Sequence, residues 1–72
     1  MDEKIILSLL EESMDIDEGT LSPDDILEDM SEFDSLSKLA FIANVKEKLN
    51  ISISINDVVN FVVVQDVIEY FK

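Results

Sequence analysis

One long amphipathic run, SLSKLAFIANVKEKL at residues 35 to 49, constrains the fold of this chain more than any other feature. A helix turns about 100° per residue, and at that spacing four apolar side chains fall on a single stripe. The stripe consists of Phe41, Ile42, Val45 and Leu49. Asp34 precedes the run and is a favourable N-cap, because its carboxylate can accept from the N–H groups that a helix start leaves unpaired. The sequence therefore predicts a helix from about Ser35 to Leu49.

A second apolar strip, formed by Leu36, Leu39 and Ala43, lies beside the first on the same predicted helix. The seven apolar side chains together span roughly 220° of the helix, whereas a surface helix needs only about 100° to face its core. This apolar strip has two interpretations. It marks a partner site on the surface, or the helix is wrapped by neighbours on two sides.

The chain has only 72 residues and contains neither cysteine nor histidine. A domain of this size has marginal stability, yet this composition excludes disulfides, zinc sites and iron–sulfur clusters. It also excludes catalysis by a serine or cysteine paired with histidine. No pair of carboxylates is marked by its spacing as an acid–base couple. We therefore expect a single domain over residues 1–72, with no enzymatic activity and no metal site.

The charge of the chain is strongly negative and unevenly distributed. Its formal net charge is −12, from 17 acidic residues and 5 lysines, while 47% of its residues are hydrophobic. These values indicate a folded acidic domain, and they disfavour nucleic acid and anionic membranes as partners. Residues 1 to 34 hold 13 acids and one lysine, whereas residues 35 to 72 hold four of each. The acids either solvate a long loop or attract partners with basic patches.

The sequence gives no sign of a membrane or secretory location. No apolar run approaches the length of a membrane span. The first residues, MDEKIIL, are acidic, whereas a secretory signal or transit peptide begins with basic residues. We therefore expect a cytoplasmic protein.

Two further elements are predicted before residue 35. Residues 2 to 14, DEKIILSLLEESM, place apolar side chains at helical spacing with acids in the first turn, which predicts a helix. In the following loop, SPDD is a helix-start pattern with Ser22 as N-cap and Pro23 at the first position. This pattern predicts one or two helical turns that bury Ile26, Leu27 or Met30.

The C-terminal third has an ambiguous pattern. NISISIND alternates apolar and polar residues, and FVVVQDVIEYF is rich in β-branched residues, so local propensity favours strands. However, the apolar residues after position 63 are also spaced as on a helix. These are Val64, Val67, Ile68 and Phe71. Composition alone leaves both structures open.

The segment around Ser35 resembles the acyl carrier protein family. The D-S-L motif at residues 34 to 36 follows a loop that contains LEDM and precedes an amphipathic helix. The spacing of the family continues through NISISINDV, and VVVQDVIEYF resembles its last helix. The resemblance implies an all-α fold: a small antiparallel four-helix bundle of three main helices and one short helix, with a long loop between helices 1 and 2. It also implies that ISISI is a loop and that residues 64 to 71 form a helix.

In that family the motif serine bears a 4′-phosphopantetheine arm, so the resemblance implies that Ser35 is the attachment point. The chain would then carry acyl or aminoacyl groups as thioesters. A phosphopantetheinyl transferase would attach the arm from coenzyme A, with Asp34 orienting the transferase and its metal. Acyl-loading, condensing and acyl-transferring enzymes would dock on Leu36, Leu39 and Ala43. We expect this carrier to be a monomer.

Two departures from the fatty-acid members of the family favour a specialised carrier. Those members have Gly-Ala before D-S-L, where this chain has SEF, and their second helix is strongly acidic. Here that helix contains Lys38, Lys46 and Lys48. Electrostatic steering of partners would come instead from an acidic loop that comprises Glu28, Asp29, Glu32 and Asp34. The departures favour a polyketide, amino-acid-loading or surface-polysaccharide pathway over fatty-acid synthesis.

Two alternatives from other functional classes remain open. DIDEGTLSPDD suggests a calcium-binding module, but an EF-hand loop needs glycine at its sixth position and glutamate at its twelfth. Counted from Asp15, this sequence places Gly19 fifth and Ile26 twelfth, so only weak calcium binding is predicted. The other alternative is an acidic protein-interaction module that needs no covalent modification.

Overall fold

Four α-helices make up the fold of residues 2–72, the part of the chain that the computed structural model describes. In chain order the elements are α1 (Glu3–Met14), a turn of 3₁₀-helix (Leu27–Asp29), α2 (Ser35–Leu49), α3 (Ile55–Val59) and α4 (Val64–Tyr70). No strand is present within residues 2–72, so the predicted all-α bundle is confirmed. None of the helices in this range has the length and apolar character needed to cross a bilayer.

Short-range hydrogen bonds define both ends of α1. Its N-cap Asp2 accepts from the Lys4 N–H at 2.9 Å, and the helix closes at Asp15, whose φ of 57° is left-handed. The apolar residues that α1 buries are Ile6, Leu9, Leu10 and Met14. These bounds confirm the helix predicted over residues 2 to 14.

α2 packs antiparallel to α1 and supplies the centre of the core. Phe41 and Val45, both on the predicted core stripe, are fully buried. The Ser13 hydroxyl donates to the Leu9 carbonyl at 2.7 Å and accepts from Asn44 Nδ2 at 2.9 Å, which links the two helices. Full burial of a Val or Phe side chain contributes about 1.5–3 kcal/mol. Apolar packing is therefore the main force that holds α1 and α2 together.

The loop between α1 and α2 shows that the helix predicted at SPDD is wrong. Residues 22 to 25 form a turn, in which the Asp25 N–H donates to the Ser22 carbonyl at 3.0 Å. The Ser22 N–H donates back to the Asp25 carboxylate at 2.9 Å, so Ser22 is not a helix cap. The helical turn begins only at Leu27, which is fully buried as predicted, while Ile26 is exposed.

The reason is that this loop is tied to the start of α4 by backbone hydrogen bonds. The carbonyls of Pro23 and Asp25 accept from the N–H groups of Gln65 at 3.0 Å and Val64 at 2.9 Å. Those carbonyls are therefore unavailable for bonds along a helix. The Glu28 N–H donates to the Val62 carbonyl at 3.3 Å, and Ile26 pairs with Val63 in an isolated antiparallel bridge.

The C-terminal third is helical, as the resemblance implied, and the strands favoured by local propensity are absent from it. Residues 51 to 54 connect α2 to α3 without regular structure. Ser54 caps α3 by accepting from the Asp57 N–H at 3.2 Å, and Asp57 in turn accepts from the Tyr70 hydroxyl of α4 at 3.0 Å. α4 buries Val64, Val67 and Ile68. Burial of one helical face outweighs the β propensity of these residues.

We expect Val45→Ala to lower the free energy of unfolding by about 2 kcal/mol, because it removes two methyl groups from a fully buried position. The matched variant Leu39→Ala lies on the same helix at a side chain that is 55% exposed. It should change the free energy of unfolding by less than about 0.5 kcal/mol. Urea titrations followed by circular dichroism measure both values. Equal losses in the two variants would contradict the orientation of α2.

Candidate functional site

The exposed Ser35 is the first residue of α2 and directly follows the helix cap. Asp34 Oδ1 accepts from the Ser37 N–H at 2.9 Å. The Asp34 carbonyl accepts from the Ser37 hydroxyl and from the Lys38 N–H, both at 3.0 Å. These bonds fix the start of the helix and place Ser37 inside the protein, while Ser35 faces solvent. Asp34 is therefore the N-cap that the sequence predicted.

The carboxylate next to Ser35 in sequence does not activate its hydroxyl. The hydrogen bond from the Ser37 N–H lowers the pKa of Asp34 below the usual range for aspartate. A carboxylate with a lowered pKa is a weak base, and this one points at the backbone of its own helix. Asp34 is therefore unsuited to act as a base for the Ser35 hydroxyl.

The acids of the acidic loop lie on the surface in the segment that leads to Ser35. Glu28 and Asp29 belong to the 3₁₀ turn, and Glu32 lies in the turn before α2; all three are exposed. Buried Leu27 and Phe33 anchor the two ends of this segment. The predicted steering residues thus lie in a segment that is anchored at both ends and leads into the start of α2.

The apolar strip of α2 is exposed along its length. Leu36 is 78% exposed and Leu39 is 55% exposed, and Ala43 is exposed as well. Of the two interpretations of the strip, a helix wrapped on two sides is therefore wrong. Four further large apolar residues are also exposed, on the loop before α2, on α3 and on the connection to α4, and the sequence did not predict any of them as part of a partner site. They are Ile26, Ile55, Val59 and Val62.

One contact at this end of α2 was not predicted from the sequence. The Lys38 ammonium lies over the ring of Phe33, with Nζ 5.2 Å from the ring centroid. Phe33 is at the position before the cap and Lys38 is the fourth residue of the helix, a spacing at which side chains often pack across a helix start. This spacing in the sequence could have predicted the contact between Phe33 and Lys38.

A groove of about 410 Å³ runs along α1, lined in part by Lys4, Ile5 and Lys48. Lys48 is thirteen residues beyond Ser35 on α2, which corresponds to about 20 Å along the helix axis. The groove therefore lies away from the Ser35 end of the helix. Within residues 2–72 no group of three or more acidic side chains is arranged to hold a metal ion.

The comparisons with known proteins identify one family. The family model described as "Phosphopantetheine attachment site" matches residues 4–71. No curated protein and no solved structure matches the chain. The family match covers α1 to α4 and the loops between them, including Ser35.

We expect Asp34→Ala to lower the free energy of unfolding at neutral pH, because it removes the cap of α2. The hydrogen bonds lower the pKa of Asp34 in the folded protein. Its contribution is therefore present above the ordinary aspartate pKa of about 4 and is lost as the pH falls through the lowered value. The difference between the wild type and Asp34→Ala should shrink between about pH 7 and pH 2.5.

Urea titrations of both proteins at the two pH values measure this difference. Subtracting one free energy of unfolding from the other cancels the effect of the charge repulsion that both proteins share. Asp34→Asn is the matched control, because asparagine keeps a side-chain acceptor at the cap and should retain most of the stability. A difference for Asp34→Ala that stays constant with pH would show that the carboxylate does not act through this cap.

Proposed function

The chain belongs to the phosphopantetheine attachment site family, and we propose that it bears its 4′-phosphopantetheine on Ser35. Members of this family are non-catalytic carriers with a covalently attached arm, so the chain is a carrier and not an enzyme. The terminal thiol of the arm holds acyl groups as thioesters. The chain itself contains no cysteine that could do so.

The observation that carries the assignment is the exposed position of Ser35 at the start of a rigid helix. A phosphodiester on this residue lies at the positive end of the α2 dipole, where anions are stabilised. Ser37, two residues later, is buried, and its hydroxyl donates a hydrogen bond to the Asp34 carbonyl, so it is unsuited to modification.

A phosphopantetheinyl transferase supplies the base that this turn lacks. Ser35 Oγ forms the new bond to the phosphorus that carries the arm, the pyrophosphate bond of coenzyme A breaks, and the nucleotide leaves. The hydroxyl proton passes to a base of the transferase. We propose that the exposed Asp34 carboxylate helps to orient the transferase and its metal.

Partner enzymes dock, in this proposal, on the apolar strip of Leu36, Leu39 and Ala43. The strip begins at the residue after Ser35 and is exposed, so a partner that covers it also reaches the attachment point. Glu28, Asp29 and Glu32 are exposed in the segment that leads into the same end of the helix, and they attract basic partner surfaces. Acyl-loading, condensing and acyl-transferring enzymes are the partners that such a carrier serves.

We further propose that the pathway is a specialised one, such as polyketide, amino-acid-loading or surface-polysaccharide synthesis. Lys46 and Lys48 are exposed on the last turn of α2, where a fatty-acid carrier would present acids. Enzymes that recognise an acidic second helix with a basic surface meet repulsion at these two lysines. Steering by the acidic loop requires a partner whose basic patch is placed differently.

The attachment residue is tested by intact-mass measurement after incubation with coenzyme A and a broad-specificity transferase. The wild type should gain one phosphopantetheine, and Ser35→Ala should gain none. Ser31→Ala is the matched control, because Ser31 is also exposed and lies in the turn just before α2. Its mass should rise as in the wild type. An unmodified wild type would contradict the proposal and favour the acidic interaction module.

The charge pattern is tested by loading assays with fatty-acid synthesis enzymes on two variants of the modified protein. The double variant Lys46→Glu/Lys48→Glu should be loaded several-fold faster than the wild type at low salt, because it removes the repulsion on α2. Reversal of Glu28 and Asp29 to lysine should slow loading, and both effects should fade at high salt. Unchanged loading of the first variant would contradict the specialised pathway.

A further inference from the structure

Lys38 is the basic residue closest in sequence to Ser35. The two residues are three positions apart on α2, a spacing that brings Cβ atoms within about 5–6 Å. The remaining lysines lie on α1, on the last turn of α2 or at the end of the chain. They are Lys4, Lys46, Lys48 and Lys72.

The side chain of Lys38 leans toward the start of its helix. Its Nζ is 5.2 Å from the centroid of the Phe33 ring, and Phe33 precedes Ser35 by two residues. Lys38 is half-buried, which means that its stem packs on the protein while its charge stays near residues 33 to 35. Long helical side chains generally lean this way, back over the preceding turn.

No carboxylate within residues 2–72 forms an ion pair with Lys38. The ion pair found in that range joins Lys72 to Glu69. Asp34, the nearest acid in sequence, uses Oδ1 to accept from the Ser37 N–H. The ammonium of Lys38 is thus a cation without an anionic partner, at the end of the molecule where the acidic loop lies.

We propose that Lys38 is a positioning residue that pairs with the phosphodiester on Ser35; this inference rests on the proposed function. A phosphodiester at Ser35 adds a negative charge beside the acids of the acidic loop, so it is repelled by them. The Lys38 ammonium offsets that repulsion, and ammonium groups form charge-assisted hydrogen bonds to phosphate oxygens. The Phe33 ring already holds the ammonium at this level of the helix.

The pairing also gives the attached group a preferred side of α2. With about 100° per residue, Lys38 lies roughly 60° to one side of Ser35 on the helix circumference. Leu36 and Leu39 lie on the other side, at roughly 100° and 40°. Lys38 therefore draws the phosphodiester away from the apolar strip, which leaves the strip accessible to a docking enzyme while the arm is attached.

The test is the ³¹P transverse relaxation rate of the phosphodiester in the modified protein. Lys38→Met keeps an unbranched stem over Phe33 and removes the charge, while Lys38→Arg keeps the charge. An exposed ion pair is typically favoured about twofold over the open state. The relaxation rate should therefore fall by roughly a third to a half in Lys38→Met, as the phosphodiester becomes more mobile, and stay near the wild-type value in Lys38→Arg.

Two controls separate pairing from other effects. Lys46→Met removes the same charge on the last turn of α2 and should leave the relaxation rate unchanged. Salt at about 0.5 M should lower the wild-type rate toward that of Lys38→Met, because screening weakens an exposed pair. If Lys38→Met does not fold, as judged by circular dichroism, Lys38→Gln replaces it.

An unchanged rate in a folded, charge-free variant would overturn the role of Lys38, since a lysine that only covers Phe33 has no influence on the phosphodiester. If the transferase yields no ³¹P phosphodiester signal in the wild type, the proposed function fails instead. The two failures are therefore distinguishable in one set of samples.

Discussion

The hydrogen bond from the Ser37 N–H to the Asp34 carboxylate sets the geometry of the whole site, because it fixes the residue at which α2 begins. Asp34 is extended, with φ −98° and ψ −172°, and the helix follows at once. Ser35 is therefore the first residue of α2 and lies exposed at its start. The burial of Phe41 and Val45 sets which face of α2 packs on the core, and it leaves Leu36 and Leu39 exposed. The cap thus sets the position of the hydroxyl, and the core sets the face beside it.

Within residues 2–72 no ion pair reaches the acids of the acidic loop, and the chain has no cysteine to form a disulfide. The bond from the Glu28 N–H to the Val62 carbonyl and the buried Leu27 fix the course of the segment. Just before it, the carbonyls of Asp25 and Pro23 accept from the N–H groups of Val64 and Gln65. Backbone bonds use no side-chain group, so the acids are not needed to hold the segment and can be concentrated there although they repel one another. The fold thus places a negative surface in the segment that leads to Ser35. Apolar burial and main-chain hydrogen bonds offset the free-energy cost of the repulsion between these acids.

The long elements were predictable because amphipathic helices of twelve and fifteen residues show a clear helical period in their sequence. The observed bounds of α1 and α2 agree with the predicted bounds to within one residue. α3 and α4 have five and seven residues, too few for a helical period to outweigh the β propensity of their valines and isoleucines. The spacing after position 63 left a helix open, and only the family resemblance favoured helices over strands. The SPDD prediction failed because its carbonyls pair with α4, a long-range contact that a local pattern cannot contain. The pathway, the monomeric state and the cytoplasmic location stay predictions.

In the docking that we propose, charge and apolar surface have separate roles in partner choice at this site. At physiological salt an exposed charge acts over about 8 Å, so steering depends on the acids nearest to Ser35 and not on the net charge of −12. Such charges change mainly the rate and orientation of encounter. The lifetime of the complex depends instead on burial of exposed apolar side chains such as Leu36 and Leu39. A carrier must release each enzyme after transfer, and a strip of only three apolar residues beside a strongly charged loop suits fast, brief encounters.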